Sequence, residues 1–265
     1  MRIGRAVAVS LILLGSVTLG GASKAPQAGR AVWLNQPYIA LVNGHFEGTL
    51  TIDEVKRHGN LGIGAINHLD GEFLVLDGVI YQFLTNGGVR TPPGNTRVAF
   101  AIMAPSRPGK PIELPAGISL TDLPAFLDAK IPTPNAYYAL RLQGTFKAVK
   151  ARTFPIQKEP FPPVCCLQPP PSVFDLSQIE GTMVGFRSPS YAANVSGPPY
   201  HLHFLARSRK AGGHVLDFAA EHATVTLERI DKLSLDLPTD KAFDGMNLET
   251  SACPSGQPPV CPAAR

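Results

Sequence analysis

The stretch from Tyr200 to Phe218, YHLHFLARSRKAGGHVLDF, leaves a chain few options other than a β-hairpin. His201 and His203 stand two apart in an apolar run, so in an extended strand both imidazoles project to one face. Arg207 to Gly213 is polar and ends in glycine, as a hairpin loop does, and His214 opens a second apolar run. An antiparallel return brings His214 beside the first pair. Three imidazoles from two adjacent strands make an open metal site, with three protein ligands and room for water or substrate. Neutral imidazole suits zinc, copper, nickel or iron; with no thiolate nearby, Zn2+ is the default. The plainer reading is a hairpin with surface or core histidines. A lone H-x-H fits that reading, whereas H-x-H followed by G-G-H at hairpin distance is more specific.

The rest of the chain is compatible with sheet around such a hairpin. Gly62 to His68, Glu72 to Leu76, Val79 to Leu84 and Arg97 to Met103 read as short strands. Asp70-Gly71, Asp77-Gly78 and Asn86-Gly87 favour tight turns between them, an antiparallel meander. Before it, Gln36 to Asn43 reads as a strand or turn, and Thr51 to Glu54 has capping-box spacing that opens a short helix through His58. Leu120 to Ile131 carries apolar residues at helical spacing, with Thr121 as N-cap. Ala136 to Gln143 and Thr145 to Arg152 read as two strands around Gly144, with Phe146, Ala148, Lys150 and Arg152 on one face of the second. Further strands are expected at Gly181 to Phe186, His201 to Ala206, His214 to Phe218 and Ala223 to Ile230.

The expected class is α+β, with mixed or antiparallel sheets in two sheet-rich halves and a few helices. The first half spans residues 30–160. A connector at 161–172 follows, since six prolines between Glu159 and Ser172 forbid regular structure there. The second half spans 173–236, and a tail over 237–265 is polar and Pro-rich, a composition that on its own reads as disordered.

A content of 44% hydrophobic and 17% charged residues suits a soluble globular protein. The net charge of +4 comes from scattered basic residues, against the concentrated basic face that nucleic acid requires. Residues 1–25 read as an export signal: Arg2 and Arg5, an apolar stretch from Ala6 to Leu19, then small residues that favour cleavage after Ala22. The apolar run is short for a membrane span. The implied product is exported, periplasmic or secreted, without a membrane anchor. Cys165, Cys166, Cys253 and Cys261 fit an oxidising compartment and permit three full pairings.

Glu72, opening a strand, and Arg152, closing one, are the acid/base and cationic candidates to accompany a metal. Each also reads as an ordinary surface residue. Taken together, HGNLGIGAINHLDGE at 58–72, YYALRLQGTFKAVKART at 137–153, IEGTMVGFRSP at 179–189 and the histidine hairpin resemble the signatures of the alpha-acetolactate decarboxylases, in order and spacing from about Ile39 to Leu237. That resemblance implies zinc held by His201, His203 and His214, with Glu72 and Arg152 catalytic. It also implies a glutamate from a tail folded over the metal, for which this chain offers Glu249. The implied reaction takes the small molecule 2-acetolactate (2-hydroxy-2-methyl-3-oxobutanoate) to acetoin and CO2 through a metal-bound ene-diolate. A homodimer is implied as well. Ala65 departs from the family, many of whose members carry a threonine there. The alternatives are another exported metal-dependent hydrolase, or a non-catalytic metal-binding module on the same scaffold.

Overall fold

The computed structural model describes residues 30–253, Pro108 excepted. Two sheets build it. The first holds β1 (Ala31–Leu34), β2 (Leu50–Thr51), β3 (Leu61–Ile66), β4 (Glu72–Leu76), β5 (Val79–Phe83), β6 (Val89–Arg90) and β7 (Arg97–Ala104). The second holds β8 (Ile112–Glu113), β9 (Tyr137–Thr153), β10 (Ser172–Arg187), β11 (Tyr200–Ala206) and β12 (Gly212–Ile230). β13 (Lys232–Leu235) then returns to the first sheet and pairs parallel with β1, giving the order β13-β1-β7-β3-β4-β5-β6 with β2 on β7.

Turn chemistry sets the meander. Asp77 and Gly78 both take positive φ, +51° and +79°, and Leu76 pairs with Val79. A two-residue loop with both φ positive matches the twist of the strands it joins. The connection from β3 to β4 is longer than its Asp-Gly pair suggests, because His68 and Leu69 also adopt φ of +56°. The capping box forms as expected, with Thr51 N–H donating to Glu54 at 2.8 Å ahead of a helix at Ile52–Val55.

In the second sheet β11 pairs with both β10 and β12, and both of these pair with β9. The four strands close on themselves around Leu140, Leu142, Phe146, Met183, Phe204, Phe218 and Val225. A second core joins the sheets, with Ile63, Leu74, Phe83 and Phe100 packed against Tyr137, Val184, Phe186 and Leu205. Burying such side chains contributes roughly 1.5–3 kcal/mol each.

Several expectations are corrected. Residues 36–43 contain a helix, Tyr38–Val42, entered through Pro37, and the first strand lies earlier at Ala31–Leu34. The mid-chain helix is shorter, Leu123–Asp128, and begins after Asp122, whose carboxylate accepts from Ser119 Oγ at 2.6 Å. The strands read on either side of Gly144 are one strand of 17 residues. Gly144 at φ +150° keeps it continuous, since a Cβ there would lie 2.0 Å from the His222 carbonyl oxygen. Likewise 214–218 and 223–230 belong to one strand, β12, interrupted only by bulges. One of those irregularities, at Lys147 of β9, flips the side-chain parity, so Phe146 shares its buried side with Val149 and Ala151 rather than with Lys150. The proline-rich segment does not separate the sheets. It joins β9 and β10, adjacent strands of the second sheet, while the switch between sheets follows β7.

As far as Cys253 the tail packs against Asn43, at the end of the helix Tyr38–Val42, and against the connector. Asp240 caps a turn of helix at Lys241–Asp244 and pairs with the buried His45. The Asn43 amide donates to the carbonyls of Asn247 and Thr250 and accepts from Ala252 N–H. A disulfide joins Cys165 in the connector to Cys253 in the tail, across a sequence separation of 88; Cys261 lies outside the described residues. Closing so long a loop restricts the unfolded chain, so Cys253→Ser is expected to lower unfolding stability by about 2–4 kcal/mol. Urea titration reads this as a lower midpoint, and an unchanged midpoint would show the bridge to be dispensable.

Candidate active site and metal centre

Strand register assembles the site. His203 of β11 sits opposite His214 of β12, and His214 sits opposite Arg152 of β9. Three side chains far apart in sequence are therefore neighbours in one row across the sheet. His201 lies two residues before His203 on the same face. From the other sheet, β4 contributes its first residue, Glu72. Glu72 N–H donates to Thr153 Oγ1 at 3.0 Å, and that hydroxyl donates to the Phe83 carbonyl at 3.1 Å. Those two bonds fix the edge of one sheet against the other at the site.

The imidazole nitrogens converge. His201 Nε2 lies 3.1 Å and His203 Nε2 3.2 Å from His214 Nδ1, and all three candidate ligand atoms lie within 4.8 Å of one another. His203 Nδ1 bonds to the Phe73 carbonyl at 2.7 Å. A carbonyl only accepts, so that nitrogen carries the proton and Nε2 presents its lone pair inward. Burial holds the His201 pKa down to about 3, aided by Arg152, and holds His203 and His214 well below the ordinary histidine range. All three are neutral and able to ligate.

Glu72 faces this cluster. Its Oε1 lies 3.4 Å from His214 Nδ1 and 3.8 Å from His203 Nε2, while Oε2 lies 3.7 Å from an Arg152 guanidinium nitrogen. Burial pushes its pKa up to about 7 against the pull of Arg152. Arg152 is itself positioned by stacking over the Phe154 ring at 4.1 Å. The cleft is completed by Tyr38, Leu41, Ala65, Phe100 and Val164. A larger cleft of about 1290 Å³, near Arg30, Trp33 and Asp236, has none of these groups.

Five of the six residues expected at the site thus meet there. Glu249 does not: it is exposed on the tail, its N–H bonded to Asn247 Oδ1, away from the lining of the cleft. The bonds to Asn43 and the Cys165–Cys253 bridge hold the adjoining tail against α1 (Tyr38–Val42) and the connector instead. The apolar lining and Tyr38 had no distinguishing sequence signal.

A family model described as alpha-acetolactate decarboxylase matches residues 35–250. The chain belongs to the alpha-acetolactate decarboxylase family. It is 37% identical to the alpha-acetolactate decarboxylase of Methanosarcina mazei, over 79% of this chain and 73% of that one. To the Klebsiella aerogenes alpha-acetolactate decarboxylase it is 35% identical, over 80% and 82% respectively. The crystal structure of alpha-acetolactate decarboxylase from Bacillus subtilis strain 168 superimposes with a TM-score of 0.80 at 30% identity, covering 83% of this chain and 94% of that one. The chain is therefore an acetolactate decarboxylase, and a buried histidine triad able to hold a metal lies in its cleft.

Proposed function

We propose that this decarboxylase is a zinc enzyme, with His201, His203 and His214 as ligands and Glu72 and Arg152 acting on the substrate. The observation that carries the reading is the convergence on His214 Nδ1 of two further imidazole nitrogens at 3.1 and 3.2 Å. A single proton at Nδ1 would serve only one of those contacts. Ligands around a tetrahedral zinc, each at about 2.0–2.1 Å, stand roughly 3.3 Å apart, so these two spacings suit the ion. Buried and without a hydrogen bond, Glu72 Oε2 faces the Arg152 guanidinium at 3.7 Å. Bound there, zinc would supply a Lewis acid for the charge that develops on the substrate's ketone oxygen.

The chain's own residues do the rest. 2-Acetolactate is a β-keto acid, so the electrons of the breaking carbon–carbon bond flow into the adjacent ketone as CO2 leaves. Arg152 orients the carboxylate with its planar fork of donors. Glu72, whose pKa burial raises to about 7, keeps a proton in a sizeable fraction of molecules near neutral pH and delivers it to the carbon that lost CO2, giving acetoin. Leu41, Ala65, Phe100 and Val164 line the cleft with apolar surface and keep bulk water from the carbanion.

The test is direct. Mature protein is expected to bind one zinc per chain and to turn racemic acetolactate into acetoin and CO2; zinc-loaded protein with no acetoin above the spontaneous background would refute it. Export belongs to the same proposal. Residues 1–25 lie outside the described structure, and support comes from their composition and the Cys165–Cys253 bridge. Among the described residues no helix is long and apolar enough to cross a membrane. A mature protein still beginning at Met1 would contradict signal cleavage. Dimerisation rests on family resemblance alone, and a monomer in sedimentation would end it.

A further inference from the structure

The first residue of α1, Tyr38, stands in the same cleft as the histidines, Glu72 and Arg152. Its ring is clamped on several sides. Gly197 lies against one part, close enough that a Cβ there would meet the ring carbons at 3.3 Å. Phe100 meets it edge-on at 5.7 Å between centroids, and His201 does so at 6.1 Å. A ring held this way presents its hydroxyl in one direction, and ordering it on binding costs little entropy. That hydroxyl is the one hydroxyl side chain among the described residues lining the cleft. Among the described residues it has no hydrogen-bond partner. It also lies in the electrostatic field of the site: burial keeps the phenol protonated, and Arg152 affects it more strongly than Glu72. Tyr38 and Arg152 line the same cleft, so a neutral donor there is placed to share that cation's anionic ligand.

We propose that Tyr38 is a further substrate-binding residue, its hydroxyl donating a hydrogen bond to the carboxylate of the hydroxy-keto acid that Arg152 holds. The inference rests on the decarboxylase reading and adds a specificity element to it. The carboxylate leaves as CO2, so a bond to it stabilises the bound substrate at least as much as the transition state. Its loss falls on KM rather than on kcat.

Tyr38→Phe keeps the clamped ring and removes only the donor. Losing one hydrogen bond to a charged group predicts roughly a tenfold or greater rise in KM, with kcat/KM falling by the same factor. Calorimetric binding of 2,3-dihydroxy-2-methylbutanoate, which keeps the carboxylate but cannot lose CO2, is expected to weaken to match. Inhibition by acetoin, which has no carboxylate, should not change. Thermal midpoint and zinc content control for packing, and both should equal wild type. An unchanged KM, or a fall in kcat alone, would overturn the proposal while wild-type enzyme still makes acetoin. Wild-type protein without activity would instead indict the decarboxylase reading itself.

Discussion

Replacing His203 by alanine is expected to abolish zinc binding and acetoin formation together. His203 is buried at 1% exposure, so its removal cannot be repaired by an incoming water without cost. It is the one imidazole of the three whose tautomer is fixed by a backbone carbonyl, that of Phe73. Losing an outer partner of a metal ligand typically costs roughly 10–100-fold in affinity, and losing the ligand itself removes more. Two imidazoles and Glu72 remain, a set that cannot rebuild the three-nitrogen face. The Phe73 carbonyl is also left without its donor, so the variant should lose stability of its own. Comparing metal-free wild type with the variant separates that cost from the metal's contribution. Full zinc occupancy in His203→Ala, by elemental analysis, would remove His203 from the ligand set.

The site was more legible in the sequence than the fold around it, and for a physical reason. A strand's period of two is rigid, so H-x-H fixes two side chains on one face without knowledge of anything else. The turn residues from Arg207 to Ala211 then determine which residue returns opposite, and the pairing of His203 with His214 follows. The long-range placement of Glu72 and Arg152 has no such local signal. It depends on one sheet meeting the other through Thr153, and only resemblance to a family supplied it in advance.

What sequence misread were places where tertiary packing overrides local punctuation. Gly144 looks like a break, but the approach of the His222 carbonyl requires a residue without Cβ, and the strand runs through. Ala31–Leu34 carries no turn or period signal that separates it from its surroundings; it becomes a strand because β7 and the returning β13 flank it. The polar tail lacks an apolar face, yet the Asn43 bonds and the bridge to Cys165 hold it in place. The same anchoring explains why Glu249, assigned to the metal by analogy, stands exposed.

Arg152→Ala is expected to give the opposite signature from the histidine variant: near-normal zinc with a large loss of kcat/KM. Arg152 touches no imidazole nitrogen at bonding distance, and its charge depresses the basicity of all three histidines. Its removal leaves the ligand set intact and slightly more basic. The substrate carboxylate, however, loses its cation in a cleft walled by apolar residues. Truncating one partner of a buried charge pair costs about 2–5 kcal/mol, which is roughly 30- to several-thousand-fold in kcat/KM. Arg152→Lys keeps the charge but not the planar fork, so it should recover only part of the loss. A second effect has a defined sign. Arg152 is the cation that opposes the burial-driven rise of the Glu72 pKa to about 7, so without it that pKa goes higher. Glu72 works as a proton donor and fails once ionised, so the alkaline limb of the residual activity should move to higher pH. A pH–rate profile of Arg152→Ala with an unmoved alkaline limb would take Glu72 out of the proton transfer. Wild-type kcat/KM in the same variant would take the arginine out of the mechanism, leaving the carboxylate to be held by Tyr38.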